Sequence, residues 1–138
     1  MATILIVDDY RPNQRVMSFV LEHNGHAVVS ARNGWQALRC LETTVVDLII
    51  TDLPMPVMDG LTLTREVRSN QRLSRLPIII VTASAREQDL VQAASEGANC
   101  LLFKPFDSDE LLREVGRLTA HKSLSPRVFA TRGACSVA

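Results

Sequence analysis

Leu48–Gly60 reads LIITDLPMPVMDG. A β-forming apolar run stops on a single carboxylate, Asp52, and Pro54 and Pro56 then keep regular structure from forming until Asp59-Gly60. The run does not alternate with polar residues, which fits a strand covered on both faces, as in parallel sheets flanked by helices. Pro77–Thr82, PIIIVT, has the same character. Together the two stretches predict an α/β fold around a parallel sheet with right-handed crossovers.

Working outward, apolar runs at Thr3–Val7, Ala27–Ser30 and Cys100–Phe103 join Leu48–Thr51 and Ile78–Thr82 to give five strands, β1 to β5 in chain order. Helical spacing lies between them: α1 over Pro12–His23, α2 over Asn33–Leu41, α3 over Asp59–Val67, α4 over Arg86–Ala94 and α5 over Asp107–Leu118. End signals support these bounds. Pro12 suits a first turn, Gly25 a left-handed cap, Asp59 an N-cap, Glu96-Gly97 a stop, and Asp107-x-x-Glu110 resembles a capping box.

On α1 the spacing assigns Val16, Phe19 and Val20 to one apolar face, and on α2 it sends Trp35, Leu38 and Leu41 to the core. Arg65, Arg68, Arg72 and Arg75 read as a solvated face, His23, His26 and His121 as surface residues, and Cys40 and Cys100 as buried filler. The order is (βα)5. Residues 1–120 form one domain, and 121–138, without sustained periodicity, reads as a C-terminal tail or linker stub.

The chain of 138 residues is long enough to bury a core without metal or disulfide support. Fifteen basic and fifteen acidic residues balance, so no global charge draws the chain to nucleic acid or to a membrane surface. The three cysteines, odd in number, are widely spaced and form no C-x-x-C pair, which argues against a zinc site and a disulfide framework and makes a reducing, cytoplasmic setting the expectation. No apolar run approaches the ~20 residues of a membrane span, and MATILIVDD lacks the basic start of a signal peptide.

In doubly wound sheets the site lies outside the carboxyl ends of the strands. There β1 ends in Asp8-Asp9, β3 in Asp52, β4 in Thr82 and β5 in Lys104-Pro105. Three carboxylates brought to one edge repel one another unless a cation neutralises them. Hard oxygen ligands and an open site favour Mg2+. A carboxylate held beside such an ion is a competent nucleophile toward an activated phosphoryl group, and a lysine and a hydroxyl are the groups that steady the phosphoryl oxygens.

Four separated motifs, ILIVDDYRPNQ, DLIITDLPMPVMDG, PIIIVTASA and LLFKPF, then carry a resemblance. Over residues 3–120 the chain resembles the receiver domains of bacterial response regulators, including the single-domain chemotaxis type, a fold that serves as a standard example of flavodoxin-like winding. The resemblance implies a flavodoxin-like, doubly wound sheet in the order 2-1-3-4-5 with helices on both faces. It implies that Asp52 accepts a phosphoryl group from a sensor histidine kinase or a histidine phosphotransfer protein. Asp8, Asp9, Asp52 and the Pro54 carbonyl would hold Mg2+, Thr82 and Lys104 would contact the phosphoryl oxygens, and Lys104-Pro105 would be cis.

The resemblance further implies a regulatory domain whose only chemistry is its own phosphorylation and slow dephosphorylation. Output would pass through the surface of α4, β5 and α5 to a downstream protein or to a second copy, with no direct contact to nucleic acid or membrane. One position departs from the family's pattern: Leu101 stands where an aromatic switch residue is usual. Pro54 and Ser84 occupy positions that tune phosphate lifetime in the family. A hydrolase reading is weak because Pro54 replaces the second acid such an enzyme uses. The alternative is a phosphorylation-independent interaction module on the same fold.

Overall fold

β1 (Thr3–Val7), β2 (Ala27–Ala31), β3 (Leu48–Asp52), β4 (Ile78–Thr82) and β5 (Cys100–Phe103) lie parallel in the expected order 2-1-3-4-5. The structure, a computed structural model, describes residues 2–83 and 86–120 and the backbone of 130–131. That last pair, Ala130–Thr131, forms a sixth strand parallel to β5, with Leu101 opposite Ala130. The sequence reading placed no strand in the tail. The rest of the tail, with His121 and Cys135, and Ser84 lie outside the described residues.

Five helices connect the strands: α1 (Arg11–His23), α2 (Gly34–Thr43), α3 (Gly60–Ser69), α4 (Glu87–Glu96) and α5 (Ser108–Ala120). Neighbouring strand residues point to opposite faces, so each strand feeds two cores. Ile4, Ile6, Ile50 and Val81 pack on one side with Met17 and Leu21 of α1 and Leu111 and Val115 of α5. Leu5, Val7, Ile49 and Ile80 pack on the other with Leu41 of α2, Leu63 and Val67 of α3 and Ala93 of α4. All five residues of β4 are buried, each large apolar one contributing about 1.5–3 kcal/mol.

The helix ends follow their sequence signals at Gly25, Asp59 and Asp107, and Asn33 adds a cap that the sequence reading did not name. Asn33 and Asp59 accept hydrogen bonds from the amides of Gln36 and Thr62, and Asp107 accepts from the amide of Glu110. Gly25 is left-handed at φ +87°.

Several side-chain assignments differ. Met17 and Leu21, not Val16 and Phe19, face the core from α1; Phe19 is 68% exposed and stacks on the His23 ring. The helix carries two apolar stripes, and periodicity alone does not say which one meets the sheet. Trp35 is half exposed and lies under the Arg39 guanidinium, while Ala37 and Leu41 fill the core. His26 is partly buried and accepts a hydrogen bond from the Ala2 amide. Cys100 is buried and disulfide-bonded, not a filler thiol.

Arg65, Arg72 and Arg75 of the arginine run are exposed, as expected, whereas Arg68 is partly buried and is held by the chain around it. Arg68 donates to the carbonyls of Gly97 and Leu76 and to the side chain of Asn99, Arg72 donates to the Leu41 carbonyl, and Arg65 pairs with Glu96. No helix among the described residues is long and apolar enough to cross a membrane.

Candidate functional site

The parallel register delivers four strand ends to one edge. Asp52 is the last residue of β3, Thr82 the last of β4, Asp8 and Asp9 follow β1, and Lys104 follows β5. Carboxylate oxygens of Asp8, Asp9 and Asp52 lie within 4.8 Å of one another. Asp52 Oδ1 accepts from the Leu53 amide at 2.9 Å, and Oδ2 faces Lys104 Nζ at 3.4 Å. The acid is thereby fixed through one oxygen and presents the other toward a cation.

Asp8 is buried, while Asp9 is exposed. Asp8 Oδ1 accepts from the Tyr10 amide at 2.9 Å, whereas Oδ2 is buried with no partner. Burial, and then the neighbouring Asp52 charge, push the Asp8 carboxyl above its usual value. An orphaned buried oxygen beside two more carboxylates is what a hard divalent cation would satisfy, so the donor set fits Mg2+.

Thr82 is buried at the sheet edge, and its carbonyl accepts from the Lys104 amide at 2.8 Å, tying the ends of β4 and β5 together. The Lys104-Pro105 bond is cis. Pro54 is exposed in the loop after Asp52. Leu101 is 1% exposed and belongs to the core beneath α4.

The tight end of that loop explains Gly60. Its backbone φ is unremarkable, so conformational freedom is not its reason; instead, a Cβ there would fall on the Asp52 carbonyl oxygen.

Two further groups escaped the sequence reading. Gln14 Nε2 donates to the carbonyls of Asp8 and Ala31 at 2.6 and 2.9 Å and braces the loop that carries the acids. Arg86 and Asp89 line a cavity with Thr82 and Pro54. Arg86 lies four positions after Thr82, which was the available signal for it.

A family model described as response regulator receiver domain matches residues 4–116. The chain belongs to the response regulator receiver domain family. Among curated relatives, the protein PilH of Pseudomonas aeruginosa is 34% identical over 120 residues, 87% of this chain and 99% of PilH. The chemotaxis protein CheY of the same species is 35% identical over 116 residues, 83% of this chain and 94% of CheY.

Solved structures agree. The signal receiver domain of a signal transduction histidine kinase from Syntrophus aciditrophicus superposes with a TM-score of 0.84 at 32% identity, covering 95% of this chain and all (100%) of that one. The receiver domain of the sensor histidine kinase PA1611 from Pseudomonas aeruginosa, described with a magnesium ion in its active-site cleft, gives a TM-score of 0.80 at 37% identity, covering 86% and 98%. Receiver domains are regulatory parts of two-component systems, paired with histidine kinases or phosphotransfer proteins, and are not enzymes in the usual sense.

Proposed function

We propose that this receiver domain accepts a phosphoryl group on Asp52 in a Mg2+-dependent reaction and so switches its output surface. The observation that carries this reading is the pairing of Asp52 Oδ2 with Lys104 Nζ at 3.4 Å beside the Asp8 and Asp9 carboxylates. Asp8, Asp9, Asp52 and the Pro54 carbonyl would hold Mg2+. When bound, the ion supplies charge neutralisation for the acids and for the oxygens of the transferring group.

The chain's own groups account for the rest. An Asp52 carboxylate oxygen attacks phosphorus, forming an O–P bond as the P–N bond of a phosphohistidine breaks. The departing imidazole takes its proton from solvent. Lys104 then exchanges its contact with the carboxylate for one with a phosphoryl oxygen, and Thr82 donates its hydroxyl to another. Gln14 holds Asp8 in place during the exchange, and the Leu53 amide orients the Asp52 carboxylate.

The donor would be a sensor histidine kinase or a histidine phosphotransfer protein. Output would run through α4, β5 and α5 to a protein partner or a second copy, in the cytoplasm, with no contact to nucleic acid. Residues 1–120 would be the receiver domain and 121–138 a tail or linker stub.

Intact-mass measurement of wild type and Asp52→Asn, incubated with Mg2+ and acetyl phosphate, tests the reading. One phosphoryl adduct on wild type alone is expected. No adduct on wild type, together with no binding of beryllofluoride, refutes it and leaves a phosphorylation-independent interaction module.

A further inference from the structure

We propose that the end of the chain is a redox latch on β5: a disulfide between Cys100 and Cys135 holds the sixth strand, β6 (Ala130–Thr131), against the outer edge of β5, and reduction by a dithiol releases it. What the latch controls rests on α4, β5 and α5 being the output surface. The latch itself does not depend on Asp52 as the acceptor.

In the order 2-1-3-4-5, β5 closes the sheet, and the outer edge of such a strand carries a row of backbone donors and acceptors with which another extended segment can pair. Here the chain's own end takes that edge. β6 runs parallel to β5, with Ala130 opposite Leu101 and Thr131 opposite Leu102. The sequence leading into it, RVFAT at Arg127–Thr131, carries the β-branched and aromatic residues that suit a strand.

Two residues of ladder are little to set against the entropy of holding a chain end in place. β1 to β4 have five residues each and β5 has four, whereas β6 has two, and each backbone hydrogen bond has only a small net worth. A covalent tie is what makes so short a strand persist. Cys100, the residue before Leu101, is fully buried and disulfide-bonded. Cys40 is free, which leaves Cys135 as the remaining cysteine of the chain. It lies four positions after Thr131, so bond and ladder tether the same segment to the same strand.

The chemistry is thiol–disulfide exchange. Cys100 is fully buried, so one thiolate of the dithiol attacks the Cys135 sulfur. A mixed disulfide forms, and the Cys100 sulfur leaves as a thiolate that takes a proton from solvent. The second thiol of the reductant then closes its own disulfide and releases the Cys135 thiol. Two electrons pass to the cysteine pair, and the dithiol is oxidised. β6 is left with its ladder alone. The β5 edge then opens between the core faces covered by α4 and α5, where an extended segment of a partner protein can add as a strand.

Full-length protein equilibrated with oxidised glutathione, then denatured, alkylated with iodoacetamide and weighed intact, tests the bond. One alkyl group is expected, on Cys40, and three after dithiothreitol. Peptide mapping without reductant should join Cys100 to Cys135. Three alkyl groups without reductant, a glutathione adduct in place of the pair, a bond through Cys40 or a disulfide-linked dimer each overturns the proposal.

Native amide exchange followed by 1H–15N NMR tests what the bond does. Treatment with dithiothreitol is expected to speed exchange in β5 by about tenfold and to leave β1 and β3 unchanged. Cys135→Ser should show the fast β5 exchange with or without dithiothreitol. Slow β5 exchange after reduction, or in Cys135→Ser, overturns the latch even with the disulfide in place. Neither readout involves a phosphoryl group, so both stand or fall separately from the output reading.

Discussion

Gly60→Ala perturbs the acceptor without touching any of its side chains. A Cβ at position 60 would lie 2.2 Å from the Asp52 carbonyl oxygen, 3.2 Å from the Asp52 carbonyl carbon and 3.3 Å from Leu53 Cα. The first of these is roughly 1 Å inside ordinary contact at about 3.5 Å. Every atom it meets is backbone, so no flexible side chain can give way. The Gly60 amide also donates to the Leu53 carbonyl at 2.8 Å, which holds the two segments together as they would be forced apart.

Overpacking of this kind costs about 1–3 kcal/mol, and a rigid backbone clash belongs near 3. With a urea slope of about 2 kcal/mol per M for a domain of this size, the unfolding midpoint should fall by about 1–1.5 M. Displacing Asp52 by about 1 Å should slow phosphorylation from acetyl phosphate by roughly 100-fold. Gly116→Ala is the control: in α5, with nothing within 4 Å of its would-be Cβ, it should stabilise by about 0.8–1 kcal/mol. A Gly60→Ala protein with the wild-type midpoint and the wild-type phosphorylation rate would refute the reasoning.

Asp8→Asn should stabilise the metal-free protein at neutral pH and abolish its stabilisation by Mg2+, as read by thermal melts in EDTA and in Mg2+. The sign follows from the raised Asp8 carboxyl: folding disfavours its ionised form, so the penalty is full at neutral pH and is relieved as pH falls through the raised value toward 3.8. The advantage of the variant should therefore shrink on acidification, and a constant or growing advantage would count against the assignment. Val57, 82% exposed, holds a left-handed φ of +71°, which a β-branched side chain resists. Val57→Asn should gain about 1 kcal/mol in urea denaturation, and a loss would show that the valine side chain contributes something its exposure hides. Arg68→Ala removes donors to three acceptors at 2.7–3.0 Å and should cost about 3 kcal/mol, whereas a loss below about 1 kcal/mol would make the arginine the surface residue that its sequence pattern suggests.

Backbone features were legible where one residue type has one physical use. The continuous apolar runs of β3 and β4 announced a sheet covered on both faces, and the acids, threonine and lysine at strand ends could be placed on one edge before any coordinate was known. The cap at Asp59 follows from its short acceptor side chain. What failed was the choice between equivalent stripes. Val16 with Phe19 and Met17 with Leu21 both satisfy helical spacing, and only the angle at which α1 meets the sheet selects the second pair. Arg68 failed for another reason: its partners are main-chain carbonyls and Asn99, which no local pattern links to it. Gly60 could be seen in the sequence but not explained by it, because close approach of the backbone at Asp52 is a tertiary fact.

The same geometry that makes the site legible makes it costly. Parallel pairing lines up β1 and β3 so that Asp8 and Asp52 emerge side by side, and a buried Asp8 oxygen is left without a partner. Lys104 at 3.4 Å offsets only part of that charge. A fold selected for stability alone would have replaced Asp8 with asparagine, which fills the same space and carries no charge to repel Asp52. The acidic edge is therefore an electrostatic deficit held open by the well-packed cores on both sides of the sheet, and a divalent cation is the simplest group that closes it. On this argument Mg2+ should raise the melting temperature of wild type more than that of Asp8→Asn or Asp52→Asn. Equal shifts in all three would place the ion elsewhere.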